Sequence, residues 1–196
     1  MNTLTVISIS AAILIAAVAA VLVLAARKPA TFRIARSIRI AAPPERIFAL
    51  IEDFRAWGAW SPWEKRDPAL KRSYGGAPSG RGAVYAWEGN RNVGQGRMEI
   101  VDAPAPSRVT IKLDFLKPFK AHNTAEFTLV PEGDSAEAVT EVTWAMTGPN
   151  IFMGKVMGVF VDMDRMIGRD FERGLANLKA AAEGRPPPAQ AASASA

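Results

Sequence analysis

The sequence predicts an α+β fold: a curved antiparallel sheet covered by one long C-terminal helix, with an N-terminal transmembrane helix ahead of it. Three observations carry this expectation. A charge-free apolar run extends from about Leu4 to Ala26. A series of later segments alternates apolar and polar residues with a period of two, the mark of strands with one buried face. Near the end, Met163, Ile167, Phe171, Leu175 and Leu178 recur at spacings of three and four, the mark of a helix with one apolar face.

The first run is built from Val6, Ile7, Ile9, Ile13, Leu14, Ile15, Val18, Val21, Leu22, Val23 and Leu24 with Ala and Ser between them. A helix that crosses a bilayer needs about 20 such residues. A secretory signal peptide carries basic residues ahead of its apolar core, and none stands before Arg27. Small residues around Val23-Leu24-Ala25 keep cleavage open as an alternative. The basic residues follow the run: Arg27, Lys28, Arg33, Arg36 and Arg39. By the positive-inside rule the following domain faces the cytoplasm. The expectation is a single-pass protein of the inner (cytoplasmic) membrane, with a periplasmic domain as the alternative. Residues 1–28 are the expected anchor, 31–183 the folded domain and 184–196, rich in Pro, Ala and Ser, a disordered tail.

The domain opens with a strand in which Phe32, Ile34, Ile38 and Ile40 alternate with Arg33, Ala35, Ser37 and Arg39. Pro43-Pro44-Glu45 starts a helix, since Pro is tolerated in a first turn and an acidic residue there suits the helix dipole. Ile47, Phe48, Leu50 and Ile51 form its apolar face. Asp53 is the expected N-cap of a second short helix carrying Phe54 and Trp57. A Pro/Gly-rich stretch follows. Strands are then expected over Gly82–Glu88 and Gly94–Val101 around a Gly89-Asn90 turn, over Arg108–Phe115, and in the alternating runs around Ala125–Leu129 and Val142–Met146. Short connections such as Pro131-Glu132-Gly133-Asp134 favour antiparallel neighbours. Ile151–Phe160 reads as a short helix and Asp162–Ala182 as a long one. A sheet with one apolar face needs a cover, and the terminal helix is the one element long enough. A bent sheet around one helix leaves a hollow, and such hollows are ligand pockets.

Composition narrows the chemistry. The chain has 196 residues, no Cys and one His, His122. Disulfides, thiolate metal sites and a Cys nucleophile are excluded, as is any multi-His metal site. The net charge of +5 suits an anionic partner surface. Nucleic-acid binding would place basic residues among exposed aromatics of a sheet or on a recognition helix. Here the strand aromatics fall in the apolar phase, and the basic residues Lys65, Arg66, Lys71, Arg72 and Arg81 fall in loops, so no nucleic-acid partner is expected. Gly94-Gln95-Gly96 and Gly75-Gly76 are too short for a phosphate-binding loop. Ser61 with His122 and an Asp lacks the turn of a hydrolase nucleophile. Asp114 or Glu126 are the groups placed to orient His122, which reads as a rim histidine. Glu88, Glu99, Asp114, Glu126 and Glu141 fall in the polar phase of their strands. No catalytic residue, metal or cofactor is assigned.

Trp57, Trp60 and Trp63 are spaced by three, and Tyr85, Trp87 and Trp144 lie on strands. They form an aromatic wall for a greasy ligand or ordinary core. Met146, Met153, Met157, Met163 and Met166 cluster late in the chain and fit either a plastic pocket or core filling. The candidate ligand-binding residues are Trp57, Trp60, Trp63, Tyr85, Trp87 and Phe115, with Trp144, Met146, Met163, Ile167 and Phe171. The loop from Trp57 to Tyr74 is the expected gate.

The strand Arg36-Ser37-Ile38-Arg39-Ile40 followed by Ala42-Pro43-Pro44-Glu45-Arg46-Ile47-Phe48 carries a family resemblance. So do Asp53-Phe54-Arg55-Ala56-Trp57, Trp60-Ser61-Pro62-Trp63 and the closing helix Phe171-Glu172-Arg173-Gly174-Leu175-Ala176-Asn177-Leu178-Lys179. From Phe32 to Lys179 the chain resembles the SRPBCC, or START-like, superfamily, in particular its polyketide cyclase/dehydrase and lipid-transport branch. The resemblance implies the helix-grip fold. That fold hosts transporters, cyclases, hydrolases and chaperone-associated modules, so it does not choose a function. The leading expectation is a membrane-anchored module that binds a hydrophobic small molecule or lipid in an internal cavity, driven by about 25 cal/mol per Å² of apolar surface removed from water. The alternatives are a polyketide cyclase/dehydratase-like enzyme using the same cavity and a chaperone-associated interaction domain.

Overall fold

The computed structural model describes residues 2–133 and 138–186. The expected tail from residue 187 onward and the turn at Asp134 lie outside these. The chain begins with helix α1 (Thr3–Ala26), exposed along almost its whole length and, over Thr5–Ala26, long and apolar enough to cross a membrane. Strand β1 (Thr31–Ile40), helix α2 (Pro44–Glu52) and a 3-10 helix (Phe54–Ala59) follow. Asp53 caps the 3-10 helix as expected, accepting from Arg55 N at 2.8 Å. Six further strands come next: β2 (Lys71–Gly76), β3 (Ala83–Glu88), β4 (Gln95–Asp102), β5 (Arg108–Lys117), β6 (Ala121–Glu132) and β7 (Val139–Pro149). Helices α3 (Phe152–Phe160) and α4 (Met163–Ala182) close the described chain.

The strands form one antiparallel sheet in the order β1-β7-β6-β5-β4-β3-β2. β1 crosses to pair with β7, from Thr31 opposite Pro149 to Ile40 opposite Thr140. Each central strand buries alternate residues: Tyr85 and Trp87, Met98 and Ile100, Val109 and Ile111, Phe127 and Leu129, Val142 and Trp144. Register shifts at Gln95/Gly96 and Ile100/Asp102 bend β4 against β5, as bulges do. The sheet curls around α4 in the helix-grip manner.

One strand departs from expectation. The expected gating loop runs to Tyr74, yet its last residues, Lys71 to Tyr74, belong to β2, which pairs with β3 along its whole length. Every β2 residue is exposed, so the segment has no apolar phase to read. It is a pure edge strand, held by backbone bonds, with Lys71 and Arg72 discouraging further pairing.

α4 buries Phe171, Gly174, Leu175, Leu178 and Ala182 against the sheet. Asp162 caps it, accepting from Arg165 N at 3.0 Å. Arg36 of β1 ties down its first turns, with Nη2 2.9 Å from Asp164 Oδ2 and Nε 2.8 Å from Glu172 Oε1. Gly174 allows a close approach of α4 to the aromatic wall. A Cβ there would stand 2.7 Å from a ring carbon of Trp144 and 3.1 Å from Pro62.

Candidate functional site

A cavity of about 230 Å³ lies between the concave face of the sheet and α4. Tyr85 and Trp87 of β3, Leu113 and Phe115 of β5, and Trp144 and Met146 of β7 build the sheet wall, with Met98 and Ala125 between them. These are the inward phases of adjacent strands, brought together because a strand's side chains alternate between its faces. Ile167, Asp170 and Phe171 form the roof from α4. Trp57, Ser61, Trp63, Glu64 and Leu70 close the side after α2, with Asn92 and Val93 from the β3–β4 turn.

The aromatic wall is ordered. Trp144 stacks on Phe171 with centroids 4.3 Å apart and planes 2° apart, and on Phe127 at 4.8 Å and 27°. Trp63 meets Trp144 edge-on at 5.4 Å. Trp87 packs edge-on to Phe115 at 5.9 Å. Such pairs each contribute about 0.5–1.5 kcal/mol beyond burial, so the wall is held in place before any ligand arrives.

Two polar features interrupt it. The Tyr85 hydroxyl donates to Glu64 Oε1 at 2.5 Å, and Arg72 Nε donates to Glu64 Oε2 at 2.6 Å. Burial, and then the Glu64 carboxylate, push the Tyr85 phenol well above its ordinary value. It therefore stays protonated at physiological pH and acts as a donor. The Glu64 bond likewise raises Arg72. Across the cavity Asp170 is paired with Arg66.

The second feature is an orphan. Trp57 Nε1 donates to Ile51 O at 2.9 Å, Trp60 Nε1 to Leu50 O at 2.9 Å, and Trp87 Nε1 to Val93 O at 3.2 Å. Trp144 is 3% exposed, and among the described residues its Nε1 has no partner. A buried donor without an acceptor costs about 1–3 kcal/mol.

Nine of the expected site residues line this cavity: Trp57, Trp63, Tyr85, Trp87, Phe115, Trp144, Met146, Ile167 and Phe171. Trp60 does not. It is fully buried in the layer beneath, edge-on to Phe127 at 5.8 Å. Met163 does not either: it sits in the first turn of α4 and is exposed, as are Met153, Met157 and Met166. The methionine cluster is thus largely an outer surface, with only Met146 at the cavity. The expected gate is also corrected. Trp57 and Trp60 are fixed by bonds to the last-turn carbonyls of α2, and Tyr74 belongs to β2.

His122 lies outside the cavity. Its Nδ1 is 2.7 Å from Asp114 Oδ1 on an exposed face, and its neighbour Asn123 is the residue that turns inward. The bond from His122, then Lys112, holds the Asp114 carboxyl below its ordinary range. Ser61 and His122 therefore belong to different faces of the sheet. The residues sequence reasoning missed are Ser61, Glu64, Leu70, Asn92, Val93, Met98, Leu113, Ala125 and Asp170. Strand phase marks Met98, Leu113 and Ala125 as inward. Nothing in the sequence distinguishes Glu64 from a surface carboxylate.

A family model described as polyketide cyclase / dehydrase and lipid transport matches residues 31–183. No curated protein matches the sequence. Among solved structures, the major latex-like protein 151 of Panax ginseng superposes with a TM-score of 0.55 at 12% identity, covering 79% of this chain and 99% of its own. A Chromobacterium violaceum protein gives a TM-score of 0.51 at 16% identity, covering 79% and 99%. A Thermus thermophilus protein gives 0.52 at 18%, covering 78% and 98%. At these identities the likeness speaks to the fold alone.

Proposed function

The chain belongs to the polyketide cyclase/dehydrase and lipid transport family, and within it we propose a membrane-anchored protein that binds a hydrophobic small molecule in the cavity between its sheet and α4. The observation that carries this reading is the pre-ordered aromatic hollow with one unpaired indole N–H in its wall. Each 100 Å² of apolar ligand surface transferred into it contributes about 2.5 kcal/mol. The orphan donor is closed off from the hollow as the ring stands, so a shift of Trp144 is needed to reach it; an apolar molecule bearing one hydrogen-bond acceptor, such as a carbonyl, ester or ether oxygen, is the ligand class that would offset that shift. The volume bounds its size. Ligand pockets run from about 300 to 1,000 Å³, so about 230 Å³ suits one ring system or one short chain rather than a whole two-chain lipid.

Residues 1–28 serve in this reading as a single-pass anchor in the inner membrane. The basic residues after α1 favour a cytoplasmic domain, and the periplasmic side is the alternative. Organic extraction of the purified full-length protein, read by mass spectrometry, tests the cargo. An apolar, acceptor-bearing compound in near-stoichiometric amount is expected. An empty extract, together with no tryptophan quenching by any apolar ketone or ester, refutes the reading.

The Tyr85–Glu64 pair is the one observation that favours an enzyme of the cyclase/dehydratase type, with Tyr85 as a proton donor to a ketone oxygen. Its hydroxyl, however, is already committed to Glu64, and its raised pKa makes proton release costly. Tyr85→Phe separates the readings. Ketone binding within about fivefold of the parent, a change of about 1 kcal/mol, is expected for a binding site. Loss of a measurable turnover in that variant would establish catalysis instead.

A further inference from the structure

α3 has no buried residue, although Phe152, Met153, Val156, Met157 and Phe160 make up much of it. Phe160 is 72% exposed and Phe152 59%. On a helix, positions i, i+1, i+4, i+5 and i+8 share one face, so these side chains form a single apolar surface. The other side faces α1: the two helices pack together, and the Lys28 side chain lies over Gly158. The junction is fastened by the backbone. Asn150 N donates to Ala30 O at 2.7 Å, and Asn150 Nδ2 donates to Pro29 O at 3.2 Å. α3 is therefore held at the point where α1 leaves its apolar span.

A second apolar element sits at the same end of the sheet. Thr31 pairs with Pro149 and Thr124 with Thr147, so the β5–β6 hairpin tip projects beside the β7–α3 junction. Its Phe119 is 70% exposed and Leu116 is exposed too. Every charged residue within 27–33, 115–121 and 150–161 is basic: Arg27, Lys28, Arg33, Lys117, Lys120 and Lys155. None of these six forms an ion pair among the described residues.

We propose that α3 and the β5–β6 tip form an interfacial foot that lies in the headgroup–acyl boundary of the membrane spanned by α1. The inference rests on the anchor reading of α1 and extends it to the orientation of the folded domain. Three features select a bilayer as the occupant. The apolar face is continuous with the end of the span, the charges within its own segments are all basic while the nearest carboxylates, Asp162, Asp164 and Asp114, are each taken up by a cap or a cationic partner, and it combines Phe and Met with basic residues as in-plane helices do. Docking this way turns toward the lipid the end of the domain from which Phe115, Met146 and Ile167 line the cavity. Apolar cargo then moves between bilayer and cavity without crossing bulk water.

The chain has no Cys, so each introduced one is unique. Full-length Phe152→Cys, Phe160→Cys and Phe119→Cys proteins are labelled with an environment-sensitive fluorophore and reconstituted in vesicles of phosphatidylcholine and phosphatidylglycerol containing spin-labelled quencher lipid. Ile13→Cys reports on α1, and Val101→Cys reports on the far end of the sheet. The expected result is loss of most emission at positions 152, 160, 119 and 13, and little loss at 101. Quenching at 13 but not at 152, 160 and 119 overturns the foot and leaves the anchor standing. Absence of quenching at 13 as well overturns both. Unquenched labels at 152 and 160 that show energy transfer between copies overturn the foot in favour of a second copy of the chain.

Discussion

Replacing Trp144 by Phe, beside the same change at Trp60, isolates the unpaired indole. Each change vacates on the order of 40 Å³, which at about 24 cal/mol per Å³ costs about 1 kcal/mol. The two indoles differ in the fate of their N–H. Trp60 Nε1 donates to Leu50 O, a carbonyl in the last turn of α2 that has no intrahelical partner. Removing that donor leaves a part-buried carbonyl without its partner and adds up to about 1–3 kcal/mol, so Trp60→Phe is expected to cost about 2–4 kcal/mol in all. Among the described residues Trp144 Nε1 has no bond to lose. Removing it relieves a penalty of about 1–3 kcal/mol, and the variant is expected to lie between neutral and about 2 kcal/mol more stable. For a domain of this size about 1 kcal/mol shifts Tm by about 2–4 °C. Thermal unfolding of delipidated full-length protein, followed by near-UV circular dichroism, therefore separates the two variants by at least several degrees. The same Trp144→Phe protein should bind an acceptor-bearing ligand several-fold more weakly, with its affinity for a matched hydrocarbon unchanged. If Trp144→Phe destabilises as much as Trp60→Phe, the indole is satisfied in the empty protein and the argument for an acceptor on the ligand fails.

Gly174→Ala should destabilise by about 1–3 kcal/mol through overpacking against Trp144, the opposite sign to the roughly 1 kcal/mol gain of Ala over Gly in an open helix; denaturant titration gives the sign directly, and a stabilised variant contradicts the packing. Asp114 has a depressed pKa because of His122, so its contribution is present above the unfolded-state value and is lost as pH falls below about 4. Asp114→Asn should flatten that part of the acid limb by well under about 1 kcal/mol, as befits a largely solvated pair, and an unchanged pH–stability curve below pH 4 would remove His122–Asp114 from the account.

The strands and long helices were legible because each carries a period that a solvated sheet or helix face imposes. Ile34 and Ile40 in β1 and Phe171 and Leu175 in α4 all fall inward on that pattern. β2 was illegible for the same reason. Lys71, Arg72 and Ser73 bury nothing, so pairing with β3 leaves no trace in residue type. At the site, strand phase showed which aromatics turn inward but not whether they meet protein or space. Trp60 and Trp63 are three residues apart, yet one fills the layer beneath and the other borders the hollow. That outcome depends on how the volumes of Phe127, Trp144 and Phe171 sum across elements far apart in sequence. Glu64 was invisible because its partners, Arg72 and Tyr85, arrive from β2 and β3.

The two halves of α4 divide the work of the fold. Its C-terminal half, through Leu175, Leu178 and Ala182, is core and holds the sheet closed. Its N-terminal half leaves Met163 and Met166 exposed and turns only Ile167, Asp170 and Phe171 to the cavity. What holds that half down is the stack of Phe171 on Trp144 together with ion pairs, an exposed set from Arg36 to Asp164 and Glu172 and a half-buried one from Arg66 to Asp170. Exposed ion pairs contribute about 0–1 kcal/mol each, far less than a buried Leu. If cargo enters from the side of the proposed foot, the turns of α4 ahead of Phe171, held mainly by the Arg36 pairs, are the least costly part of the grip to displace. Opening there would leave the Leu175–Leu178 core intact, so under the proposed cargo reading the first turns of α4, rather than the tryptophan loop, are the expected gate.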